Sequence, residues 1–164
     1  PLAVIRAVRA EVGDDFVVGM RLSQSMVCDS KLKWEGGVNE AGQRFRALVD
    51  AGLDYLHVTE PDAAAPAFGS GPSFAAIAKS CVTIPVIGNG GILTGEQAEG
   101  LLVDGDMDLV AIGKAALANN DWPQRIQQGL ELSKFDGTMF VPMATITNEL
   151  AWRNANDRPA LGSS

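Results

Sequence analysis

The sequence is poor in the residues from which metal sites and disulfides are built. Among its 164 residues, only Cys28 and Cys81 are cysteines, they form no CxxC pair, and His57 is the only histidine. Zinc sites draw several Cys and His ligands from short, regular spacings. We therefore expect no metal site. Two isolated cysteines are also typical of a reducing compartment, so we expect both thiols to be free and the location to be cytoplasmic.

The sequence also lacks an excess of positive charge and any long apolar run. It has 13 Lys and Arg against 20 Asp and Glu, a net charge of −7, whereas nucleic-acid binding usually leaves a basic footprint. No apolar run approaches the roughly 20 residues that span a bilayer. The N-terminal stretch PLAVIRAVRAEVGDD mixes charges along an amphipathic pattern, unlike a signal peptide. We expect a globular protein with no nucleic-acid or membrane partner.

Apolar segments and helical patterns alternate along the chain. Four segments read as strands: FVVGMRLS (16–23), LDYLHVTEP (53–61), IPVIGNGG (84–91) and MDLVAIGK (107–114). Helical spacing of apolar residues precedes the first segment and recurs between the others, with Ser73 and Thr94 as predicted helix starts. Such β-α repeats predict a parallel sheet. Either an open doubly wound sheet or part of a (β/α)₈ barrel fits this order.

The length decides how much of a barrel is possible. A full barrel needs about 250 residues, so four strand-helix units correspond to half of one. We predict a half-barrel over 1–130 and a C-terminal extension over 131–164, where the repeat stops. The last residues, NANDRPALGSS, are small and polar, and we expect a frayed end.

Polar residues and glycines collect where the predicted strands end, the edge at which parallel α/β folds bind ligands. Asn89, Gly90 and Gly91 follow the third strand, and Gly113 and Lys114 follow the fourth. Glycines allow close approach to the backbone, and a helix that starts after them offers unpaired N–H groups to an anion. The two loops therefore predict a phosphate site. The alternative is a tight strand-to-helix turn that binds nothing.

Other residues at this edge have simpler interpretations. Arg21 ends the first strand, where it either contacts a ligand or pairs with a carboxylate such as Glu60. His57 is flanked by apolar residues, which favours a hydrogen-bonded core histidine over a catalytic one. Lys114 either contacts a phosphate or is a solvated residue at a helix start.

Five ordered stretches resemble the C-terminal half of the Old Yellow Enzyme family, the FMN-dependent NADH:flavin oxidoreductases. They are VGDDFVVGMRLSQ, AGLDYLHVTEPDAAAPAFG, IPVIGNGGILTGEQAEGLL, DLVAIGKAALANNDWPQRI and GLELSKFDGTMFVPMATI, over about residues 1–146. The resemblance implies a TIM barrel that holds FMN at its C-terminal face, with these strands as the fifth to eighth. It also implies an ene-reductase that uses NAD(P)H to reduce activated C=C bonds of α,β-unsaturated carbonyl compounds.

The resemblance assigns roles to individual residues. Arg21 matches an arginine beside the pyrimidine end of the flavin, which makes it both the catalytic and a cofactor-binding residue. Gly90 and Gly91 match amide donors to the FMN phosphate, and Asn89, in the same loop, is expected to bind the cofactor as well. Gly113 and Lys114 match a Gly-Arg pair on that phosphate. Lys114 keeps the charge of the family arginine but lacks its bidentate fork.

The family's first four strands, which carry the substrate-gripping pair and the proposed proton-donating tyrosine, have no counterpart in this sequence. The alternative function is therefore a non-catalytic FMN- or phosphate-binding half-barrel, or a self-associating one. A half-barrel exposes two strand edges and an apolar face. We therefore expect a homo-oligomer, or pairing with an N-terminal half, besides a small-molecule alkene as substrate.

Overall fold

The computed structural model describes residues 1–25, 29 and 32–156, in two compact units. The first unit is Pro1–Ile112, and the second runs from Gly113 onward. The predicted boundary after residue 130 stays a prediction. Cys28 and most of the expected frayed end lie outside the described residues.

The first unit is built around a four-stranded parallel sheet with the order β1-β2-β5-β6. A helix lies in each connection between neighbouring strands, which confirms the predicted β-α repeat and the half-barrel. The strands of the sheet are β1 (Gly19–Leu22), β2 (Tyr55–Thr59), β5 (Val86–Asn89) and β6 (Leu109–Ala111). The helices are α1 (Leu2–Val12), α2 (Gly37–Asp50), α3 (Phe74–Cys81) and α4 (Gly95–Val103). A short antiparallel hairpin of β3 (Pro66–Phe68) and β4 (Ser70–Ser73) precedes α3.

One face of the sheet is buried under the helices. Leu56 of β2 and Val86 of β5 are fully buried, as are Phe45 of α2 and Phe74 of α3. The rings of Phe45 and Phe74 lie 5.1 Å apart, and Trp34 packs edge-on against Phe74 at 5.4 Å. Strand residues alternate between faces, so the intervening positions point to the other side, the inner face of the half-barrel. These inner positions are half-buried or exposed.

Two aspartates fasten the N-terminal ends of the strands in the same way. Asp54, just before β2, accepts a hydrogen bond from Val18 N–H at 2.7 Å and pairs with Arg9 of α1. Asp108, just before β6, accepts from Val86 N–H at 2.8 Å and pairs with Lys79 at 2.7 Å. Each carboxylate thus joins the start of its own strand to the start of the preceding strand in the sheet.

The second unit consists of short helices joined by loops. They are α5 (Lys114–Ala118), α6 (Trp122–Gln128), a 3₁₀ turn (Gly137–Phe140) and α7 (Ile146–Ala155). Buried Asn119 fastens the loop after α6, because its side chain donates to Ser133 O at 3.0 Å and accepts from Ser133 N–H at 2.8 Å. Among the described residues, no helix has the length and apolar character needed to cross a membrane.

Candidate functional site

The C-terminal ends of the four parallel strands meet at one edge of the sheet, and a chain of polar contacts crosses all four. Thr59 and Asn89 are paired positions of β2 and β5, and Asn89 and Ala111 are paired positions of β5 and β6. Arg21 of β1 is level with His57, so its side chain reaches two residues toward the C-terminal edge to meet Thr59.

The hydrogen bonds of this chain converge on one nitrogen of Arg21. Its Nη2 donates to Thr59 Oγ1 at 3.2 Å and to Asn89 Oδ1 at 3.0 Å. Thr59 Oγ1 in turn donates to Asn89 Oδ1 at 2.9 Å. Asn89 Nδ2 donates to Ala111 O at 2.7 Å, which fixes the orientation of the amide. Arg21 remains exposed, so a positive charge is held in place on the inner face.

This arrangement differs from the carboxylate pairing considered for Arg21. Glu60, the candidate partner, instead binds Lys33, with Nζ and Oε2 3.0 Å apart. The side chain of Glu60 is only 7% exposed, and its Oε1 has no hydrogen-bond partner among the described residues. Arg21 therefore has no carboxylate partner among the described residues, and its guanidinium is available to a ligand.

The loop after β5 offers backbone donors. Gly90 and Gly91 both have positive φ, +144° and +64°, which L residues with side chains rarely adopt. Gly90 lies against the preceding loop: its carbonyl accepts from Ala63 N–H at 2.9 Å, and Asn89 O accepts from Glu60 N–H at 3.0 Å. In contrast, the N–H groups of Gly90 and Gly91 donate to no described residue. Unsatisfied backbone N–H groups in such a loop suit an anion.

The start of α4 contributes less than the sequence predicts. Thr94 caps this helix and accepts from Gln97 N–H at 3.2 Å, while Gln97 Oε1 accepts from the N–H groups of Leu93 and Thr94 at 2.8 and 3.1 Å. This capping box satisfies donors that would otherwise face a ligand. The candidate anion site therefore rests on the glycine amides rather than on the helix terminus.

Gly88, the first glycine of the GNGG sequence, has a packing role. It faces the helices, where a Cβ would lie 2.3 Å from the sulfur of buried Met107.

A cleft of about 90 Å³ adjoins Gly90 and Gly91. Asp62 and Gln97 also line it, and Asp62 uses Oδ1 to accept from Ala64 N–H at 2.9 Å.

His57 lies on the inner face beside Arg21. Its Nε2 is buried and has no hydrogen-bond partner among the described residues, so the expected hydrogen-bonded core histidine lacks a described partner. Burial, and then the positive charge of Arg21, lower the pKa of His57 below its usual value. The imidazole is therefore neutral at pH 7, which leaves Arg21 as the positive group of this pair.

Gly113 and Lys114 belong to the second unit. Gly113 is the N-cap residue of α5 and its carbonyl accepts from Leu117 N–H at 3.0 Å. Lys114, the first residue of α5, is exposed. Their predicted contact with a phosphate stays a prediction.

Cys81 is a free thiol, and the described residues contain no group of three or more His, Cys, Asp or Glu that could hold a metal ion.

One residue that sequence reasoning missed is Gln24, just after β1. It is 2% exposed and its Nε2 donates to Ala67 O of the β3–β4 hairpin at 3.1 Å. Gln24 Oε1 is buried without a described partner. A lone Gln after a strand gives no sequence signal, because its partner lies 43 residues away.

The fold and this edge define half of a parallel (β/α) barrel with a candidate anion-binding site at the C-terminal ends of its strands. Comparison with known proteins gives the family. Residues 1–133 match the model of the NADH:flavin oxidoreductase / NADH oxidase family. The chain belongs to this family, whose characterised relatives are oxidoreductases.

Individual relatives agree with this assignment. The chain is 31% identical to an NADH oxidase of Thermoanaerobacter brockii, over a match that covers 79% of this chain. It is 30% identical to a bilirubin reductase of Mediterraneibacter gnavus, over a match that covers 78% of this chain. Among solved structures, a morphinone reductase superposes with a TM-score of 0.71 at 26% identity, over 98% of this chain. The morphinone reductase complex with tetrahydroNAD gives 0.67 at 28% identity, over 84%.

The chain spans only part of these proteins. It covers 21% of the NADH oxidase, 22% of the bilirubin reductase and 42% and 35% of the two morphinone reductase chains. The partial coverage agrees with a half-barrel.

Proposed function

We propose that this chain provides the FMN-phosphate half of an NAD(P)H-dependent ene-reductase site. The observation that carries the proposal is the pair of unused N–H groups at Gly90 and Gly91, beside the exposed Arg21 at the same strand edge. Amide donors suit a phosphate, and a fixed cation suits a ring system that becomes negatively charged on reduction. The residues present therefore fit FMN. Bound FMN would supply hydride transfer between NAD(P)H and an activated alkene.

The residues of this chain would act by binding and by electrostatics. Gly90 and Gly91 would donate their N–H groups to the phosphate. Lys114, which follows β6 in the chain as Gly90 follows β5, would add a positive charge. Gly113 has no side chain and would let the phosphate approach the backbone closely. Arg21 would favour the reduced flavin, because its guanidinium is fixed before the charge develops and needs no reorganisation.

The phosphate contacts are tested by comparing two flavins. The purified chain is mixed with FMN or with riboflavin, which lacks the phosphate, then desalted, and its visible absorption is recorded. We expect FMN to be retained and riboflavin to be lost. Lys114→Gln should weaken FMN binding about tenfold, since charge-assisted contacts to phosphate are among the stronger hydrogen bonds. Lys134→Gln removes the same charge elsewhere in the second unit and should bind like the wild type.

Two results would argue against the proposal. Equal retention of FMN and riboflavin would mean that no phosphate site operates. A colourless protein with either flavin would mean that this chain does not hold the cofactor. If FMN is retained, oxidation of NADPH with cyclohexenone distinguishes the ene-reductase from the alternative, a flavin-binding half-barrel without turnover.

A further inference from the structure

We propose that Thr59 and Asn89 are positioning residues that fix the guanidinium of Arg21 at the C-terminal edge of the sheet. The inference rests on the proposed function, in which Arg21 faces the flavin. It gives Asn89 a different role from the cofactor contact predicted from sequence. Its amide holds the arginine rather than the ligand.

Arg21 needs such support because it is long and exposed. An arginine side chain has many rotamers and loses entropy when it is fixed, so an unsupported one would sample many positions. Here both hydrogens of Nη2 are directed to neighbouring acceptors, Thr59 Oγ1 and Asn89 Oδ1. The Nε and Nη1 atoms donate to no described residue. Fixing one corner of the fork therefore leaves three N–H donors in a set orientation toward a ligand.

Both polar atoms of the Asn89 side chain already make hydrogen bonds within the sheet, and only the second hydrogen of Nδ2 is left for a ligand. Its Oδ1 accepts from both Arg21 and Thr59, and its Nδ2 is used by Ala111 O on β6. This last bond ties the amide to the backbone of the neighbouring strand. The position of the guanidinium on β1 is thereby coupled through β2 and β5 to β6, and a shift of any of these strands would move the charge.

The only histidine of the chain provides a test that needs no flavin. The ¹H–¹³C NMR signals of His57 are followed against pH in wild type, Arg21→Gln, Thr59→Val and the double variant. Arg21→Gln should raise the pKa of His57, because it removes a neighbouring positive charge. Thr59→Val should raise it by less, since a released guanidinium moves into solvent and is screened. In the Arg21→Gln background, Thr59→Val should change nothing.

Asn89→Ala should behave like Thr59→Val, and Thr59→Ser, which keeps the hydroxyl, should restore the wild-type pKa of His57. Ser73→Ala is the stability control. Its hydroxyl caps α3 by accepting from Ala76 N–H, it contacts none of these residues, and its loss destabilises the same unit. If Thr59→Val and Asn89→Ala leave the pKa of His57 at the wild-type value, Arg21 is not positioned by them and the inference is overturned.

The flavin measurements separate this inference from the proposed function. If the wild-type chain binds FMN, Thr59→Val and Asn89→Ala should weaken binding about three- to tenfold, the effect of losing preorganisation of one side chain. Like Arg21→Gln, both should lower the midpoint potential of the bound flavin, because the reduced flavin loses a fixed positive charge, while Ser73→Ala should not. If the wild type binds no FMN, the proposed function fails for this chain, and the titration of His57 still decides whether Arg21 is positioned.

Discussion

Three glycines of the β5–α4 segment should respond differently to the same substitution, alanine. At Gly90, an added Cβ would lie 2.0 Å from Glu60 O and 3.0 Å from Ala63 N, so backbone atoms would have to move. At Gly91, the nearest atom would be Pro61 O at 3.3 Å, and the main obstacle is the φ of +64°. At Gly100, inside α4, nothing lies within 4 Å.

These environments set the expected magnitudes. Gly91→Ala should cost about 1–2 kcal/mol of unfolding free energy, the usual penalty for a left-handed residue with a Cβ. Gly90→Ala combines a similar backbone penalty with a clash against atoms that cannot rotate away, which gives roughly 3–5 kcal/mol. Gly100→Ala should stabilise the chain by about 0.5–1 kcal/mol, because alanine is the better helix former.

Urea unfolding followed by circular dichroism at 222 nm measures all three variants against the wild type. Gly100→Ala is the internal control, since it adds the same methyl group to the same segment without a clash. A loss of stability at Gly90 no larger than at Gly91 would refute the reasoning. It would mean that the loop after β5 does not lie against the Glu60–Ala63 backbone as described.

Two further predictions concern the strand ends and the exposed face. The pKa of Asp108 is lowered mainly by the hydrogen bond from Lys79 and then by the hydrogen bond from Val86 N–H. The unfolded chain therefore takes up a proton at Asp108 at a higher pH than the folded chain does, and the stability that this carboxylate provides is lost as the pH falls below about 4. Asp108→Asn should therefore lose about 1 kcal/mol at pH 7, and its deficit in urea unfolding should shrink as the pH falls through 4; a deficit that is constant from pH 7 to 3 would contradict this. The sheet ends in two edge strands, β1 and β6, and Leu109 on β6 is 52% exposed, so we expect self-association in light scattering at high concentration and weaker association in Leu109→Lys; a monomeric wild type that binds no hydrophobic dye would argue against it.

Local sequence signals were sufficient for the repeat that builds the sheet. Each of the four parallel strands falls inside a predicted apolar segment, and α3 and α4 begin after the predicted caps Ser73 and Thr94. Caps act over three or four residues, and burial of apolar residues gives a periodic pattern, so both are visible in a single sequence.

Features held by distant contacts were not predictable in this way. The β3–β4 hairpin has the sequence PAFGSGPS, in which Pro and Gly disfavour strands, and Gln24 supports it from the end of β1. Helix α7 was also missed, although Thr145 caps it by accepting from Asn148 N–H. In the candidate site, sequence placed Arg21 and Asn89 at one edge but gave no indication that one holds the other. That contact joins residues 68 positions apart.

The polar groups at the two ends of the sheet differ in whether they are satisfied within the fold. At the N-terminal ends, Asp54 and Asp108 each accept from a backbone N–H and pair with a basic side chain, so both carboxylates are satisfied within the fold. At the C-terminal ends, the guanidinium of Arg21 and the amides of Gly90 and Gly91 keep donors without described acceptors. Unsatisfied donors reduce stability unless a ligand accepts from them. A ligand that accepts from this edge should therefore raise the melting temperature of the chain, and FMN should raise it more than riboflavin because only FMN brings the anion that these donors suit.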